Sequence, residues 1–247
     1  MERFKAFVAR RSDDGMTGGV ETLAESDLDQ GDVTVRVEYS SVNYKDLLVI
    51  DGAPGLTKEY PQIPGIDAAG TVEESFGGGF EPEDRVVVSG GDFGVNHSGG
   101  YSEYARVPAS WVTRLPDQLS TRQAMAYGTA GFTAALSLLE LLDHGVTADC
   151  GPVVVTGASG GVGSFAVSLA AAEGLDVVAA TNKPDDTERL TGLGAREVIA
   201  TDELRDTSGK HLMKGAWAGG VDSLGGDVLS TIIRQTKYGG TVTNCGM

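Results

Sequence analysis

The stretch Val153-Val154-Val155-Thr156-Gly157-Ala158-Ser159-Gly160-Gly161-Val162-Gly163-Ser164 decides the fold. A β-branched run feeds a glycine-rich turn. The turn opens a helix that continues Phe165-Ala166-Val167-Ser168-Leu169-Ala170-Ala171-Ala172. Strand, turn and helix in that order form the context a dinucleotide-binding turn requires. Gly157, Gly160, Gly161 and Gly163 let the backbone approach a pyrophosphate. Ser159 and Val162 belong to the same turn, and the helix start offers unpaired N–H groups and partial positive charge to the anion.

The next strand bears on which dinucleotide. Leu175 to Thr181 reads as a second parallel strand. An NAD site usually carries Asp or Glu near its end to hold the ribose 2′-hydroxyl. This chain has Thr181-Asn182-Lys183 instead. A hydroxyl, an amide and a cation suit a 2′-phosphate, and no carboxylate is expected there to repel it. The expected cofactor is NADP(H).

Outward from this core the alternation continues. Strands are expected at 152–156, 176–181, 196–200, 221–224 and 241–244, with helices at 162–173, 184–192 and 227–237. Such alternation predicts a doubly wound parallel sheet. The residues before about 118 differ. Short β-type runs, Phe4–Ala9, Val33–Tyr39, Gly70–Glu74, Arg85–Ser89 and Tyr101–Val107, are separated by Gly, Pro and Asp. Val33, Val35 and Val37 alternate with polar neighbours, as a half-buried strand should. This half is expected to be a β-rich, barrel-like unit, with Phe76-Gly77-Gly78-Gly79-Phe80 as a turn. Ser120-Thr121-Arg122-Gln123 has capping-box spacing, and the helix it opens is expected to break near Gly128-Thr129-Ala130-Gly131. The expected domains are therefore 1–118 and 119–247.

Composition excludes some partners. The 247 residues carry 35 acidic and 19 basic side chains, a net charge of -16. That argues against nucleic acid and anionic membrane surfaces. Asp exceeds Glu and Arg exceeds Lys, as on a salt-adapted cytoplasmic protein. Cys150 and Cys245 stand far apart and form no Cys-x-x-Cys pair. His97, His144 and His211 make no His-x-x-x-His set and read as structural or solvated. No signal peptide is expected at Met1-Glu2-Arg3-Phe4-Lys5, and no membrane-spanning run.

With both halves read, the chain resembles the medium-chain dehydrogenase/reductase superfamily. Within it, the chain resembles the zinc-independent, quinone-oxidoreductase-like branch that includes acryloyl-CoA reductases. The motifs are Ser41-Val42-Asn43-Tyr44-Lys45-Asp46, Pro64-Gly65-Ile66-Asp67-Ala68-Ala69-Gly70-Thr71-Val72 and Asn96-His97-Ser98-Gly99-Gly100. They continue with Gly128-Thr129-Ala130-Gly131-Phe132-Thr133-Ala134, the glycine turn, Trp217-Ala218-Gly219, Tyr238-Gly239-Gly240 and Cys245-Gly246. The resemblance implies an α/β chain: a GroES-like, partly open barrel followed by a Rossmann sheet. Relatives run several tens of residues further, so the resemblance also implies that the chain given stops before the sixth strand. Zinc-dependent relatives place Cys in the segment aligned with Asn43–Asp46 and a His-Glu pair in that aligned with Ile66–Asp67. Neither is present, and no metal is expected.

The implied chemistry is hydride transfer from a dihydronicotinamide to the β-carbon of an α,β-unsaturated carbonyl, most simply an acryloyl-CoA-type thioester. A quinone or enone substrate is the alternative, and an inert cofactor-binding fragment the third. By resemblance, Asn43, Tyr44 and Asp67 line the catalytic site. Tyr44, Thr129 and Thr133 lie by the cofactor, and Cys245 and Gly246 lie where the fifth strand meets the nicotinamide pocket. Lys45 and Asp46 are expected to form a structural ion pair. A cytoplasmic homodimer acting on a small molecule is the expected assembly.

Overall fold

The computed structural model describes residues 3–246. They divide into two compact units, ending at Thr129 and beginning at Ala130.

The first unit opens with a hairpin, β1 (Arg3–Ser12) and β2 (Gly15–Ala24), closed so that Ser12 faces Gly15. The sequence hides β2 because glycines interrupt its pattern. Gly18 is glycine for a reason: a Cβ there would lie 2.6 Å from Cζ of Phe7, whose ring covers it. Five further strands, β3 (Val33–Ser40), β4 (Asp67–Ser75), β5 (Arg85–Ser89), β6 (Tyr104–Val107) and β7 (Val112–Arg114), form an antiparallel sheet in the order β6-β3-β4-β5-β7. Val33 and Val35 of β3, Val72 of β4, Val86 and Val88 of β5 and Val107 of β6 pack into one core with Phe93. Burying each such side chain is worth roughly 1.5–3 kcal/mol. A short helix, α1 (Tyr44–Ile50), follows β3. It is absent from the sequence reading because seven residues show too little periodicity.

Helix α2 (Thr121–Asp143) joins the units. Its start is the expected capping box: Ser120 N–H and Oγ–H both donate to Gln123 Oε1, at 3.0 and 2.9 Å. Gly128 breaks it with φ 50° and ψ -159°. The part before the break carries Ala124 and Met125 into a cluster with Ala69 and Leu115. Thr121 Oγ1 also donates to Glu38 at 2.6 Å. Hence the units separate at 129/130, later than the 118/119 boundary expected from composition. The part after the break packs Ala134, Leu138 and Leu141 into the core of the second unit. α2 is also a correction to the expected lack of a long apolar run, since its length and composition would suffice to cross a membrane. Gly128 breaks it, and its two parts bury residues in the cores of the two units.

The second unit holds β8 (Val153–Val155), α3 (Gly161–Ala172), β9 (Val177–Ala180), α4 (Thr187–Gly192), β10 (Glu197–Ile199), β11 (Trp217–Asp222), α5 (Gly226–Gln235) and β12 (Thr236–Asn244). The sheet is parallel, in the order β10-β9-β8-β11-β12. β8 is central and its side chains alternate between two layers. Val153 and Val155 meet Ala166, Val167 and Ala170 of α3, whereas Val154 meets Val228 and Ile232 of α5. This is the doubly wound arrangement, whose ligand crevice lies beyond the carboxyl ends of the strands.

Candidate functional site

In the second unit, the turn between β8 and α3 shows why each glycine is there. Gly157 has φ +54°, and a Cβ on it would run into Ser223 Oγ. A Cβ on Gly163, in the first turn of α3, would lie 2.6 Å from Ala158 Cα, so the helix rests directly on the turn backbone. Gly160 and Gly161 differ from these. Both are exposed, and a Cβ on either would meet its nearest neighbour only at 3.2 or 3.1 Å. Two glycines thus serve the turn's own packing, and two keep its outer face bare at a helix N-terminus. That is the cradle a pyrophosphate needs.

Behind the turn stands a network that sequence reasoning missed. Asp222, fully buried at the end of β11, accepts Thr156 Oγ1–H at 2.6 Å, Gly225 N–H at 2.7 Å and Asn244 Nδ2–H at 2.8 Å. Ser223 N–H donates to Thr156 Oγ1 at 3.1 Å, and Ser223 Oγ–H to the Thr156 carbonyl at 3.0 Å. The carboxyl ends of β8, β11 and β12 are thereby locked together. Cys245 N–H donates to the Asp222 carbonyl at 2.9 Å, and a Cβ on Gly246 would lie 2.7 Å from the Ser223 carbonyl carbon. Both expected residues therefore sit against this network.

The end of β9 places the next group. Thr181 Oγ1 shares a hydrogen with Ser159 Oγ at 2.9 Å and accepts Lys183 N–H at 3.1 Å. Asn182 Oδ1 accepts Thr201 N–H at 2.9 Å, so its carbonyl end is tied to the next loop. Arg189 was not foreseen. Its Nη2–H donates to the Ser159 carbonyl and its Nε–H to Asp186 Oδ1, both at 3.0 Å. The expectation that no carboxylate opposes a phosphate here needs correction, because the chain folds Asp186 back onto this group. The Arg189 hydrogen bond holds the Asp186 carboxyl below its ordinary range against the opposing effect of burial, helped by the Arg189 and Lys183 charges and the Ser159 hydroxyl.

In the first unit a second fully buried carboxylate, Asp67, begins β4. Its Oδ1 accepts Ser89 Oγ–H at 2.5 Å and Thr129 Oγ1–H at 2.7 Å. Its Oδ2 accepts Ser41 Oγ–H, Asn43 Nδ2–H at 3.0 Å and Thr129 N–H at 2.8 Å. Gly128 makes the last bond possible: a Cβ there would lie 2.9 Å from Asp67 Oδ2 and 3.0 Å from Ser41 Oγ. Burial pushes the Asp67 carboxyl up, but the hydrogen bonds from Ser41, Ser89 and Thr129 outweigh it and hold it below the usual range. An anion so saturated is a poor proton carrier. It is suited to orienting the hydroxyls and the amide around it.

Asn43, Asp67 and Thr129 are thus brought together, with Ser41 and Ser89 added. Tyr44 opens α1 with its side chain 70% exposed, outside that hydrogen-bonded set. Thr133 lies half-buried beyond the unit boundary. Asp46 corrects the expected ion pair with Lys45. It is fully buried, and its carboxylate accepts Asn43 N–H at 2.8 Å, Ile66 N–H at 2.9 Å and Tyr101 Oη–H at 3.1 Å. Backbone amides, not an ammonium, hold it, and they fix the 43–46 and 64–66 segments to each other. The Tyr101 hydroxyl stays protonated, pushed up by burial first and by the Asp46 charge next. His97 is structural, with Nε2 2.7 Å from the Arg106 carbonyl and its ring edge-on to Trp111.

Comparison with known proteins bears directly on both units. Residues 29–117 match the family described as "Alcohol dehydrogenase GroES-like domain", and residues 161–247 that described as "Zinc-binding dehydrogenase". Over 246 residues the chain is 48% identical to acrylyl-CoA reductase AcuI of Ruegeria pomeroyi, covering 99% of this chain and 74% of that protein. The chain belongs to the medium-chain dehydrogenase/reductase superfamily. It is also 43% identical over 244 residues to the putative quinone oxidoreductase YhfP of Bacillus subtilis, covering 99% of this chain and 74% of that protein. The solved yhdH oxidoreductase from Salmonella enterica, in complex with NADP, superposes with a TM-score of 0.95 at 43% identity, covering 98% of this chain and 74% of that one. The residues do not fit the zinc that one family description names. Among the described residues no three His, Cys, Asp or Glu side chains gather as a metal would need, and both Asp67 oxygens are taken by hydroxyl and amide donors.

Proposed function

We propose that the protein is an NADPH-dependent reductase of α,β-unsaturated carbonyl compounds, with an acryloyl-CoA-type thioester as substrate. The observation that carries the cofactor half is the bare outer face of the turn at Gly160 and Gly161, at the N-terminus of α3. The substrate half rests on the 48% identity to the Ruegeria pomeroyi acrylyl-CoA reductase. A quinone or enone is the second reading, favoured by the 43% identity to the Bacillus subtilis protein. A cytoplasmic location and a dimeric assembly belong to the same reading.

When bound, NADPH supplies a hydride from C4 of its nicotinamide to the substrate β-carbon, and a proton is added at the α-carbon. The chain's residues do the rest. Turn amides beside Gly160 and Gly161 bind the pyrophosphate, with Ser159, Val162 and Gly163 shaping the turn. Lys183 binds the 2′-phosphate, beside Thr181 and Asn182. Asp67 stays ionised and takes the hydrogens of Ser41, Asn43, Ser89 and Thr129, which fixes where these side chains stand around the site. The exposed Tyr44 phenol is the donor offered to the substrate carbonyl, where negative charge develops. Thr133, Cys245 and Gly246 line the nicotinamide side.

Loss of reduced-nicotinamide absorbance with acryloyl-CoA, against a simple quinone, tests the reading. Faster turnover of the thioester is expected. Gly160→Val should abolish cofactor binding and leave the protein folded, since a Cβ there meets one close atom, the Gly157 carbonyl oxygen at 3.2 Å, which a small shift relieves. Retained affinity in that folded variant would show that the turn is not the cradle.

A further inference from the structure

We infer that Arg189 is a second determinant of cofactor choice, held in readiness by Asp186, and that it binds the 2′-phosphate together with Lys183. The inference rests on the NADPH reading above and deepens it. The first βα turn, the end of β9 and the start of α4 meet in one cluster. Ser159 joins Thr181 through its hydroxyl, and its carbonyl accepts Arg189 Nη2–H at 3.0 Å. Thr181 accepts the Lys183 N–H. The Arg189 guanidinium is therefore tethered to the turn that the reading gives to the pyrophosphate, and the Asp186 carboxylate that it holds also feels the Lys183 charge.

The tether leaves donors free. A guanidinium has five N–H groups in a planar fork, and the contacts to Ser159 and Asp186 use Nη2 and Nε. The side chain remains 44% exposed. A phosphate arriving beside Lys183 has this exposed, tethered fork within the same cluster, and arginine suits bidentate recognition of phosphate. Asp186 acts in the opposite direction. Its carboxylate is 27% exposed and neutralises the fork from the side. Asp185 and Glu188 add acidic charge on either side of it in sequence. In such surroundings one lysine is a weak discriminator, and the arginine supplies the missing attraction. The Asp186 pairing keeps it ordered at the cost of some phosphate affinity.

The experiment measures dissociation constants of NADPH and NADH by nicotinamide fluorescence at low salt. It uses the unmodified chain, Arg189→Ala, Arg189→Lys and Asp186→Asn, with a thermal melt to verify folding. Arg189→Ala should lower the NADPH-over-NADH preference by roughly tenfold or more, the worth of one charge-assisted hydrogen bond. Arg189→Lys should restore part of it, because charge returns without the fork. Asp186→Asn should raise the preference by roughly threefold, the scale of an exposed charge pair. Reading a ratio removes any general disturbance of the turn from losing the Ser159 contact. An unchanged ratio in Arg189→Ala, with NADPH still bound by the unmodified chain, overturns the inference and leaves the cofactor reading standing. Weaker NADH binding in Asp186→Asn also overturns it, since the carboxylate would then be holding the ribose hydroxyl. Failure of the unmodified chain to bind NADPH overturns the cofactor reading, and the inference with it.

Discussion

Two fully buried aspartates, Asp67 in the first unit and Asp222 in the second, have the same surroundings in outline and different uses. Each is saturated by threonine, asparagine and backbone donors. Asp222 collects Thr156, Gly225 and Asn244 from strand ends that the parallel sheet already places side by side, and its effect falls on backbone: the turn, the loop after β11 and the end of β12. Asp67 collects side chains from segments at 41–43, 89 and 129, and its effect falls on where their polar groups point. One network makes a shape for a ligand. The other fixes an array of polar side chains around one anion. The difference predicts that disturbing each should fail differently.

The largest effect is expected at Asp67. Asp67→Leu removes the acceptor on which Ser41, Asn43, Ser89 and Thr129 converge and leaves buried donors unpaired. A loss of roughly 3–5 kcal/mol is expected in a urea titration, together with loss of turnover. Asp67→Asn keeps volume and should cost less. The pH dependence separates these causes. Because the folded carboxyl lies below its unfolded value of about 3.9, its contribution is fully present above that value. It disappears as pH falls through the lower folded value. The acid limb of the wild-type stability curve should therefore be steeper below about pH 4 than that of Asp67→Asn. Parallel limbs would show that the anion adds nothing.

Next is a contrast within the turn of the second unit. Gly163→Ala forces a Cβ to within 2.6 Å of Ala158 Cα, against backbone that cannot yield cheaply. Overpacking of this kind costs about 1–3 kcal/mol, and the displaced turn should lose NADPH as well. Gly160→Ala brings a Cβ to 3.2 Å from the Gly157 carbonyl oxygen, a close contact that a small shift relieves, and should cost clearly less stability than Gly163→Ala. Equal stability of the two variants would contradict the division between packing glycines and open ones.

The same contrast explains what could be read from sequence alone. The second unit was legible because its signals are local. Val153–Val155 before the glycines, alanines along α3 and the recurring alternation of strand and helix name every strand of the sheet, though β11 and β12 begin earlier than their cores suggest. The first unit was legible as β-rich, but β2, β7 and α1 escaped, being glycine-broken or short. The Asp67 array was half visible. Asn43, Asp67 and Thr129 came through family motifs; Ser41 stood in the same motif with no role given to it, and Ser89 carries no signal until β4 and β5 pair it with Asp67. Asp222 looked like an ordinary strand residue. Arg189 and Asp186 looked like a solvated helix face, because nothing in a linear sequence says that α4 folds its first turn back onto Ser159.

The smallest effect, and the one that tests the ligand side of the comparison, is at Lys183. Its backbone N–H is fixed to Thr181, so its Cα position is set by the turn, but its side chain is exposed and projects from the protein surface. Its contribution should be electrostatic and almost purely toward a 2′-phosphate. Lys183→Ala should leave the denaturation midpoint and NADH affinity unchanged and weaken NADPH by roughly tenfold at low salt, about 1.4 kcal/mol. Raising the ionic strength to about 1 M shortens the screening length to about 3 Å, so the difference between wild type and variant should shrink to a fewfold. This salt dependence distinguishes a charge contribution from a packing one, because loss of packing would persist in salt. NADPH affinity in Lys183→Ala equal to wild type at low salt would transfer the whole discrimination to Arg189. Equal loss of both cofactors would mean that the lysine shapes the turn and does not read the phosphate.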